Sequence, residues 1–257
     1  MGILLLDRNL QQNVDAWQWR TDSSVNPVPS DYFGAMDGGG DNTTMVVTSG
    51  YNGTKPYAGG LVSNKRPFPT LNGAMLQYVA LHLEFFWPAY IYDNMARHET
   101  DLKVCFRTRP NSSTYIRNVA NFSIQWNRDT GQFQLDHDPP AWVNSGFEVD
   151  DIAPDTWHAL DFRFWYDPTP TAPVFSVLSM NLDGLKYDVP PEHQNIPAQN
   201  TNWEAVASVQ LQNEMYRKGS TIIQYDHVTL GWSDEAIGDL PADQLAGDGL
   251  GVFLLAA

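Results

Sequence analysis

The sequence is poor in basic residues and in cysteine. Lys and Arg together number 15 against 30 Asp and Glu, which gives a formal net charge of -15. Nucleic acids and anionic lipids are bound through basic patches, so we expect neither as a partner. The single cysteine, Cys105, excludes an internal disulfide. No apolar run approaches the length of about 18 residues that a membrane-spanning helix needs.

A recognisable signal peptide is also missing. The apolar stretch ILLL at residues 3–6 is too short for one, and no cationic region precedes it. If the protein is secreted, we therefore expect its leader to have been removed already.

Aromatic residues and turn formers are abundant. Trp, Tyr and Phe make up 12% of the chain, which also has 19 glycines and 17 prolines. Aromatic side chains favour strands, and Gly and Pro favour the turns between them. The composition therefore predicts an all-β protein.

Alternation of apolar and polar residues with a period of two recurs along the chain, as expected for half-buried strands. The alternating runs are QYVALHLEFFW (77–87), LKVCFRT (102–108), VANFSIQW (119–126), AVASVQLQ (205–212) and TIIQYDHVTLGW (221–232). A further run, VFSVLSMNL (174–182), is apolar on both faces and is typical of a central strand. Many short strands separated by turn signals predict a β-sandwich or barrel.

The stretch TWHALDFRFWYD (156–167) has two contrasting faces. The predicted core face holds Leu160, Phe162, Phe164 and Tyr166. The other face holds Trp157, Asp161, Arg163 and Trp165. Flat aromatics beside an acid and a guanidinium are more than a solvated face requires, so this second face is a candidate site.

The domain organisation follows from the distribution of these strands. Residues 20–73 are rich in Gly, Pro, Asn and Ser, and we interpret them as long loops with short strands such as MVVTS. We predict one domain over residues 1–233. Residues 234–257 form an acidic connection and an apolar tail, LGVFLLAA, which is a last strand, a docking peptide or disordered.

Three segments carry a family resemblance: NFSIQWNRDTGQFQL, PDTWHALDFRF and IIQYDHVTLGWSD. Over about residues 45–232 the chain resembles the concanavalin A-like lectin/glucanase superfamily. That resemblance implies a two-sheet antiparallel jelly roll with the long N-terminal loops. It also implies an extracellular or cell-surface protein that binds a polysaccharide or other glycan. Lectins, retaining glucanases and polysaccharide lyases share this fold, so the fold does not choose among them.

Carbohydrate binding without turnover is the first hypothesis. Sugar rings stack on Trp, and their hydroxyls bond to acid, amide and guanidinium groups. The candidate ligand-binding residues are Asn121, Gln125, Trp157, Asp161, Arg163, Trp165, Gln210 and Gln212. A structural alternative stays open, in which Asp161 pairs with Arg163 and Trp157 anchors a loop.

A retaining glucanase is one enzymatic alternative. In HETDLKV (98–104), Glu99 and Asp101 match the start of the acidic strand E-x-D-x-E that such members of the superfamily carry. Double displacement needs two carboxyls, one as nucleophile and one as acid/base. Here Lys103 stands in the position of the last acid.

A polysaccharide lyase is the enzymatic alternative that we prefer to a glucanase. The resemblance implies that Arg, Gln or Asn neutralises a uronate carboxylate while His or Tyr moves the protons. Arg107 and Gln125 are candidates for the first task, and His158 for the second. The short lyase signatures R-[ST]-E-L and Q-[IV]-H are absent.

The remaining expectations concern metals and assembly. No zinc-type spacing is present, because HETD is not H-E-x-x-H, and we expect no cofactor. A structural calcium is conceivable at DHD (136–138), DGGGD (37–41) or Asp226, whose oxygens are suitable hard ligands. Self-association through residues 249–257 is a further hypothesis, in which the tail adds a strand to a neighbour. The corresponding functional alternative is a self-assembling surface protein.

Overall fold

A computed structural model gives the structure of part of the chain. The residues it describes are 2–13, 16–22, 32–37, 44–51, 58–67, 69–71, 74–86, 88–89, 104–106, 120–122, 124–127, 130–137, 141–167, 174–191, 195–197, 206–215, 219–240, 245 and 249–254.

Within these residues the chain forms twenty β-strands and one short 3₁₀ turn at Leu10–Gln12. The strands are β1 (Ile3–Arg8), β2 (Trp17–Asp22), β3 (Tyr32–Asp37), β4 (Met45–Tyr51), β5 (Ala58–Pro67), β6 (Thr70–Leu71), β7 (Ala74–Met75), β8 (Tyr78–Phe86), β9 (Val104–Phe106), β10 (Ala120–Phe122), β11 (Ile124–Asn127), β12 (Gln132–His137), β13 (Ala141–Glu148), β14 (Trp157–Asp167), β15 (Val174–Leu182), β16 (Leu185–Asp188), β17 (Asn195–Pro197), β18 (Val206–Met215), β19 (Gly219–Ser233) and β20 (Gly249–Leu254).

Ten of the strands form one antiparallel sheet, which we call the large sheet. Its main path runs β16-β15-β14-β8-β19-β1-β20, and β17, β4 and β3 add to β15, β19 and β4. Strand β8 is central, because it pairs with β14 on one side and with β19 on the other. The apolar tail is a last strand, since β20 pairs with β1 from Gly249 opposite Arg8 to Leu254 opposite Ile3.

The second layer, which we call the second sheet, consists of three hydrogen-bonded groups. These are β2-β5-β18, β9-β10 and β11-β12-β13. Strand β9 lies alongside β18, and β10 leads into β11 after one residue. The three groups therefore form one interrupted layer that faces the large sheet.

The core lies between the two sheets. From the large sheet it includes Val79, Leu81, Leu83, Leu160, Phe162, Phe164, Tyr225, Leu230 and Trp232. From the second sheet it includes Trp17, Ile124, Trp126, Phe133, Leu135, Phe147 and Leu211. Large side chains on the inward positions of both sheets supply the apolar burial that holds the layers together.

The predicted fold class, an all-β, two-sheet antiparallel sandwich, is confirmed. The alternating runs at 77–87 and 205–212 correspond to β8 and β18, and the run at 156–167 corresponds to β14. No helix among the described residues is long and apolar enough to cross a membrane.

Residues 20–73 form more strand than the sequence indicates. The predicted strand MVVTS is part of β4, but β2, β3 and β5 also fall wholly or partly in this region. Strand β5, AGGLVSNKRP, lies between β2 and β18, where backbone hydrogen bonds on both edges fix it. Its glycines and polar residues hide the alternation, because pairing in a sheet depends on neighbours as much as on propensity.

A bulge in β19 shifts its inward face. Tyr225 and Val228 are both buried in the core although they are three positions apart, because pairing with β8 is interrupted between Asp226 and Thr229. His227 has a φ of 47° at this point. The amide of Gln11 bridges the bulge: its Nε2 donates to Asp226 Oδ1 over 2.9 Å, and its Oε1 accepts from the Val228 N–H over 2.9 Å.

Candidate functional site

The two faces of β14 separate as the alternation predicts. Leu160, Phe162 and Phe164 are buried in the core between the sheets. The positions of Trp157, Asp161, Arg163 and Trp165 therefore lie on the opposite side, the outer face of the large sheet.

A polar row crosses this outer face from strand to strand. Asp161 of β14 lies opposite His82 of β8 and Asn181 of β15. Asn181 in turn lies opposite Lys186 of β16, and His82 lies opposite Thr229 of β19. Five adjacent strands thus place polar residues directly opposite one another, in a line perpendicular to the strands. A second such line contains Arg163 opposite Ser179, which lies opposite Asp188.

Asp161 is the electrostatic centre of the polar row. Its Oδ1 lies 3.1 Å from His82 Nδ1 and accepts a longer hydrogen bond from Arg163 Nη1 at 3.4 Å. Burial alone would raise the pKa of Asp161, but the hydrogen bond and charge of His82, together with the charge of Arg163, outweigh it and lower the pKa. Asp161 is therefore held as a carboxylate.

Arg163 is buried, with only 8% of its surface exposed, and its guanidinium is used inside the protein. Its Nε donates to the carbonyl of Gly238 over 3.0 Å, and its Nη1 donates to the carbonyl of Phe162 over 3.0 Å. Burial lowers the pKa of Arg163 while Asp161 opposes that shift, and arginine stays charged at any pH in question. Arg163 thus fixes the chain at Gly238 over the sheet.

Residues 234–240, which we call the cover segment, lie over this part of the outer face. Ile237 packs against Leu4, Leu6 and Ala80 in a small apolar cluster. Asp234 Oδ1 accepts a hydrogen bond of 2.8 Å from the backbone N–H of Ile3. The cover segment is therefore attached to the sheet by apolar contacts and by hydrogen bonds.

A pocket of about 240 Å³ lies between the cover segment and strands β14, β15 and β16. Its lining residues are Asp161, Arg163, Ser179, Met180, Asn181, Lys186, Asp188, Ile237, Gly238 and Asp239. An exposed ion pair of Lys186 with Asp239 lies in this lining. Two predicted ligand-binding residues, Asp161 and Arg163, therefore do line a cavity.

The other predicted ligand-binding residues lie on a different sheet. Asn121 belongs to β10, Gln125 to β11, and Gln210 and Gln212 to β18. Gln125 alternates with the buried Ile124 and Trp126, so its position is on the outer face of the second sheet. The structure does not bring the two sets together, because the core separates the outer faces of the two sheets.

The outer face of the second sheet carries a row of amide residues, which we call the amide row. Gln125 lies opposite Gln134 of β12, and Gln134 lies opposite Asn144 of β13. Gln134 Nε2 donates to Asn144 Oδ1 over 2.8 Å at the protein surface. Farther along the layer, Gln210 of β18 lies opposite Ser63 of β5, which lies opposite Gln18 of β2.

His158, the candidate proton carrier of a lyase, is buried and held by two acceptors. Its Nδ1 lies 2.6 Å from Asp183 Oδ2, and its Nε2 lies 2.7 Å from the carbonyl of Ala153. A carbonyl can only accept, so Nε2 carries a proton here. These two contacts connect the loop before β14 to the turn after β15, so the role of His158 is structural.

The two tryptophans of the β14 outer face stand at its ends. Trp157 is 41% exposed and packs on Phe86, with ring centroids 5.6 Å apart. Trp165 is half-buried and lies opposite Tyr78. Eight residues of extended strand separate them by about 27 Å, so one sugar ring cannot contact both.

Three catalytic candidates, Glu99, Asp101 and Arg107, lie outside the described residues. Among the residues with described side chains, no group of three or more His, Cys, Asp and Glu has a metal-binding arrangement. Asp226, one of the calcium candidates, uses its Oδ1 to accept from Gln11 and from the backbone N–H of His227.

Sequence reasoning missed the β15 side of the pocket. The register between β14 and β15 shifts, so that Arg163 lies opposite Ser179 while Phe164 lies opposite Val177. Leu178 is the extra residue, and it reverses the face that each later residue occupies. This bulge explains why VFSVLSMNL appears apolar on both faces. Two of its three polar residues, Ser179 and Asn181, were the available signal.

No protein-family model and no curated protein matches the sequence. Among solved structures, the chain is similar to an alginate lyase from Chlorella virus, with 11% identity, coverage of 85% of this chain and 93% of the other, and a TM-score of 0.47. It is similar to an endo-1,3-β-glucanase from Streptomyces sioyaensis, with 11% identity, coverage of 86% and 90%, and a TM-score of 0.47. A third is the winged bean acidic lectin in complex with methyl-α-D-galactose, with 12% identity, coverage of 85% and 100%, and a TM-score of 0.44.

Proposed function

We propose that the protein is a secreted or surface-exposed glycan-binding protein that holds a polysaccharide on the outer face of its second sheet. The observation that carries this proposal is the amide row, in which Gln125, Gln134 and Asn144 lie at one level of three adjacent strands. Adjacent strands are about 4.8 Å apart, so the row extends across the sheet with one amide per strand.

Amide side chains suit this task chemically. Each carries two N–H donors and one carbonyl acceptor, so it can bond to neighbouring hydroxyls of a sugar. The bond between Gln134 and Asn144 orients both groups in advance, and preorganised groups lose less conformational entropy when a ligand binds. The row therefore offers a ligand surface at a small entropic cost.

Binding without turnover is favoured over the lyase alternative by the hydrogen bonds of His158. Both of its ring nitrogens face acceptors within the protein, so the ring is not placed to take a proton from a sugar. The lyase hypothesis would then rest on Arg107 or Gln125 and on a proton carrier other than His158.

The test is retention of the protein by a panel of immobilised neutral and uronic-acid polysaccharides. We expect wild type to be retained without product formation, which is followed by reducing ends and by the ultraviolet absorbance of unsaturated sugars. Gln134→Ala and Asn144→Ala should each weaken retention about tenfold, the loss expected when a group that orients a ligand is removed.

The matched control is Gln12→Ala, which removes an exposed amide of the 3₁₀ turn outside the second sheet. Retention should not change in this variant. Equal retention of wild type, Gln134→Ala and Asn144→Ala would contradict the proposal, and released unsaturated ends would establish a lyase instead.

A second candidate function, self-association, is supported by the edge strand β20. Among the described strands, β20 pairs only with β1, and its side chains Leu250 and Val252 are 67% and 65% exposed. Exposed apolar residues on an open strand edge favour pairing with another chain. Leu250→Lys should shift an assembly to monomers in sedimentation analysis, while an unchanged mass distribution would exclude this edge as the contact.

A further inference from the structure

The pocket under the cover segment has the size of a site for one small ring. Its volume is about 240 Å³. Pockets for drug-sized ligands start at about 300 Å³. A disaccharide or a peptide would therefore extend out of the pocket, whereas a single sugar residue fits its dimensions.

The charges that line the pocket leave it slightly negative. Three carboxylates face two cations, and the cations are already engaged: Arg163 with Asp161, and Lys186 with Asp239. The third acid, Asp188, forms no ion pair with any other described residue. An anionic ligand would thus meet an unpaired carboxylate, so the pocket selects against negative charge.

An unmet hydrogen-bond acceptor indicates what kind of group the pocket would receive. Asn181 Oδ1 is buried and has no hydrogen-bond partner among the described residues. Buried acceptors in folded proteins are nearly always satisfied by protein, water or a ligand. Asn181 lies in register between Asp161 and Lys186 in the polar row. Ile237 supplies apolar lining beside it.

We infer that this pocket is a second binding site, which takes one neutral polyhydroxylated unit such as a single sugar residue. A hydroxyl can donate to the carboxylate of Asp188 and accept from the hydroxyl of Ser179, and rotation of the Asn181 amide into the pocket would let its Oδ1 accept as well. The C–H groups of a sugar ring would contact Ile237. This site is separate from the amide row, because it lies on the opposite side of the molecule.

The test is an NMR titration with the methyl glycosides of glucose, galactose, mannose and xylose, and with glucuronate. We expect saturable shifts of the backbone amides of Ser179 and Gly238 with at least one neutral glycoside. Glucuronate should bind at least tenfold more weakly than that glycoside. Since the inferred ligand is one sugar unit, the titration measures binding in the pocket without any polysaccharide.

The decisive variant is Asn181→Leu, which keeps the size of the side chain and removes the unmet acceptor. It should weaken binding at least tenfold while the denaturant midpoint stays equal or rises, because an unsatisfied buried group is lost. Gln134→Ala, on the other sheet, should leave the titration unchanged. These two variants separate the pocket from the amide row.

The inference fails if no neutral glycoside causes saturable shifts at Ser179 and Gly238. It also fails if Asn181→Leu binds as wild type does, since the asparagine would then be structural only. Shifts confined to β11, β12 and β13 would support the proposed function and overturn the second site.

Discussion

At the scale of single residues, Arg163 contributes to the fold rather than to the surface. Its three guanidinium nitrogens donate hydrogen bonds to Asp161 and to the carbonyls of Phe162 and Gly238. Its side chain is almost fully buried. Removing this guanidinium leaves Asp161 with His82 as its remaining partner and takes the Arg163 donor away from the carbonyl of Gly238. A large stability effect follows from that arrangement.

Arg163→Ala should lower the free energy of unfolding by about 3 kcal/mol, since breaking a buried pair leaves an uncompensated charge. Urea denaturation measures this loss. The control is Lys186→Ala, because the ion pair of Lys186 with Asp239 is exposed and is worth less than about 1 kcal/mol. Equal losses in the two variants would contradict the role given to Arg163.

Asp161 should make stability depend on pH in the acid range. Its pKa is lowered in the folded protein, so its contribution is complete above the pKa of an unfolded aspartate, about 3.9. The contribution is lost as pH falls through the lower, folded-state pKa. The stability advantage of wild type over Asp161→Asn should therefore shrink as pH is lowered from about 5 to about 2. A constant difference over this range, measured by urea denaturation, would contradict the assignment.

Part of the candidate pocket could be predicted from the sequence. Alternation alone placed Asp161 and Arg163 together on the non-core side of β14. The partner of Arg163 could not be predicted, because it is the backbone carbonyl of Gly238, 75 residues away, and any residue type supplies a carbonyl. Pairing of Asp161 with Arg163, the structural alternative, is what the structure contains.

At the scale of elements, the core face and the outer face of β14 contribute very differently to the free energy of unfolding. Phe162→Ala should cost about 3–5 kcal/mol, because Phe162 is fully buried and its loss leaves a cavity. Trp157→Ala should cost about 1 kcal/mol, since Trp157 is exposed and mainly loses its contact with Phe86. Thermal and chemical denaturation of both variants check this. If Trp157→Ala unfolds as readily as Phe162→Ala, both faces of the strand are needed for the core.

Bulges limit what alternation predicts for an element. In β19 the positions of Tyr225 and Val228 would fall on opposite faces of a regular strand, yet both are buried in the core. In β15 an extra residue at Leu178 has the same effect. Nothing in the local sequence fixes either bulge. Each depends on the register of the neighbouring strand, which is a tertiary property.

At the scale of the whole molecule, a net charge of -15 acts on any charged ligand. Long-range repulsion disfavours anionic polysaccharides and is screened over about 8 Å at physiological salt. Neutral polysaccharides should therefore be retained better than uronic ones at low salt, and added salt should reduce the difference. Retention measured across a salt series tests this, and stronger retention of uronic chains at low salt would contradict it.

The sandwich as a whole could be predicted from the sequence better than the distribution of site residues over it. Strand alternation indicates which residues are buried, but it does not assign a strand to one layer or the other. Asp161 and Gln210 occupy the same kind of position in the sequence, a polar residue between apolar ones in a strand. Yet β14 belongs to the large sheet and β18 to the second sheet. Strand order is set by long-range pairing, and a single sequence carries little information on it.

The most direct test of glycan binding on the second sheet is an NMR titration with an oligosaccharide of the polysaccharide that best retains the protein. We expect saturable shifts of the side-chain amides of Gln134 and Asn144, with backbone shifts continuing into β11 and β18. Saturable shifts restricted to the large sheet, with Gln134 and Asn144 unchanged, would contradict it.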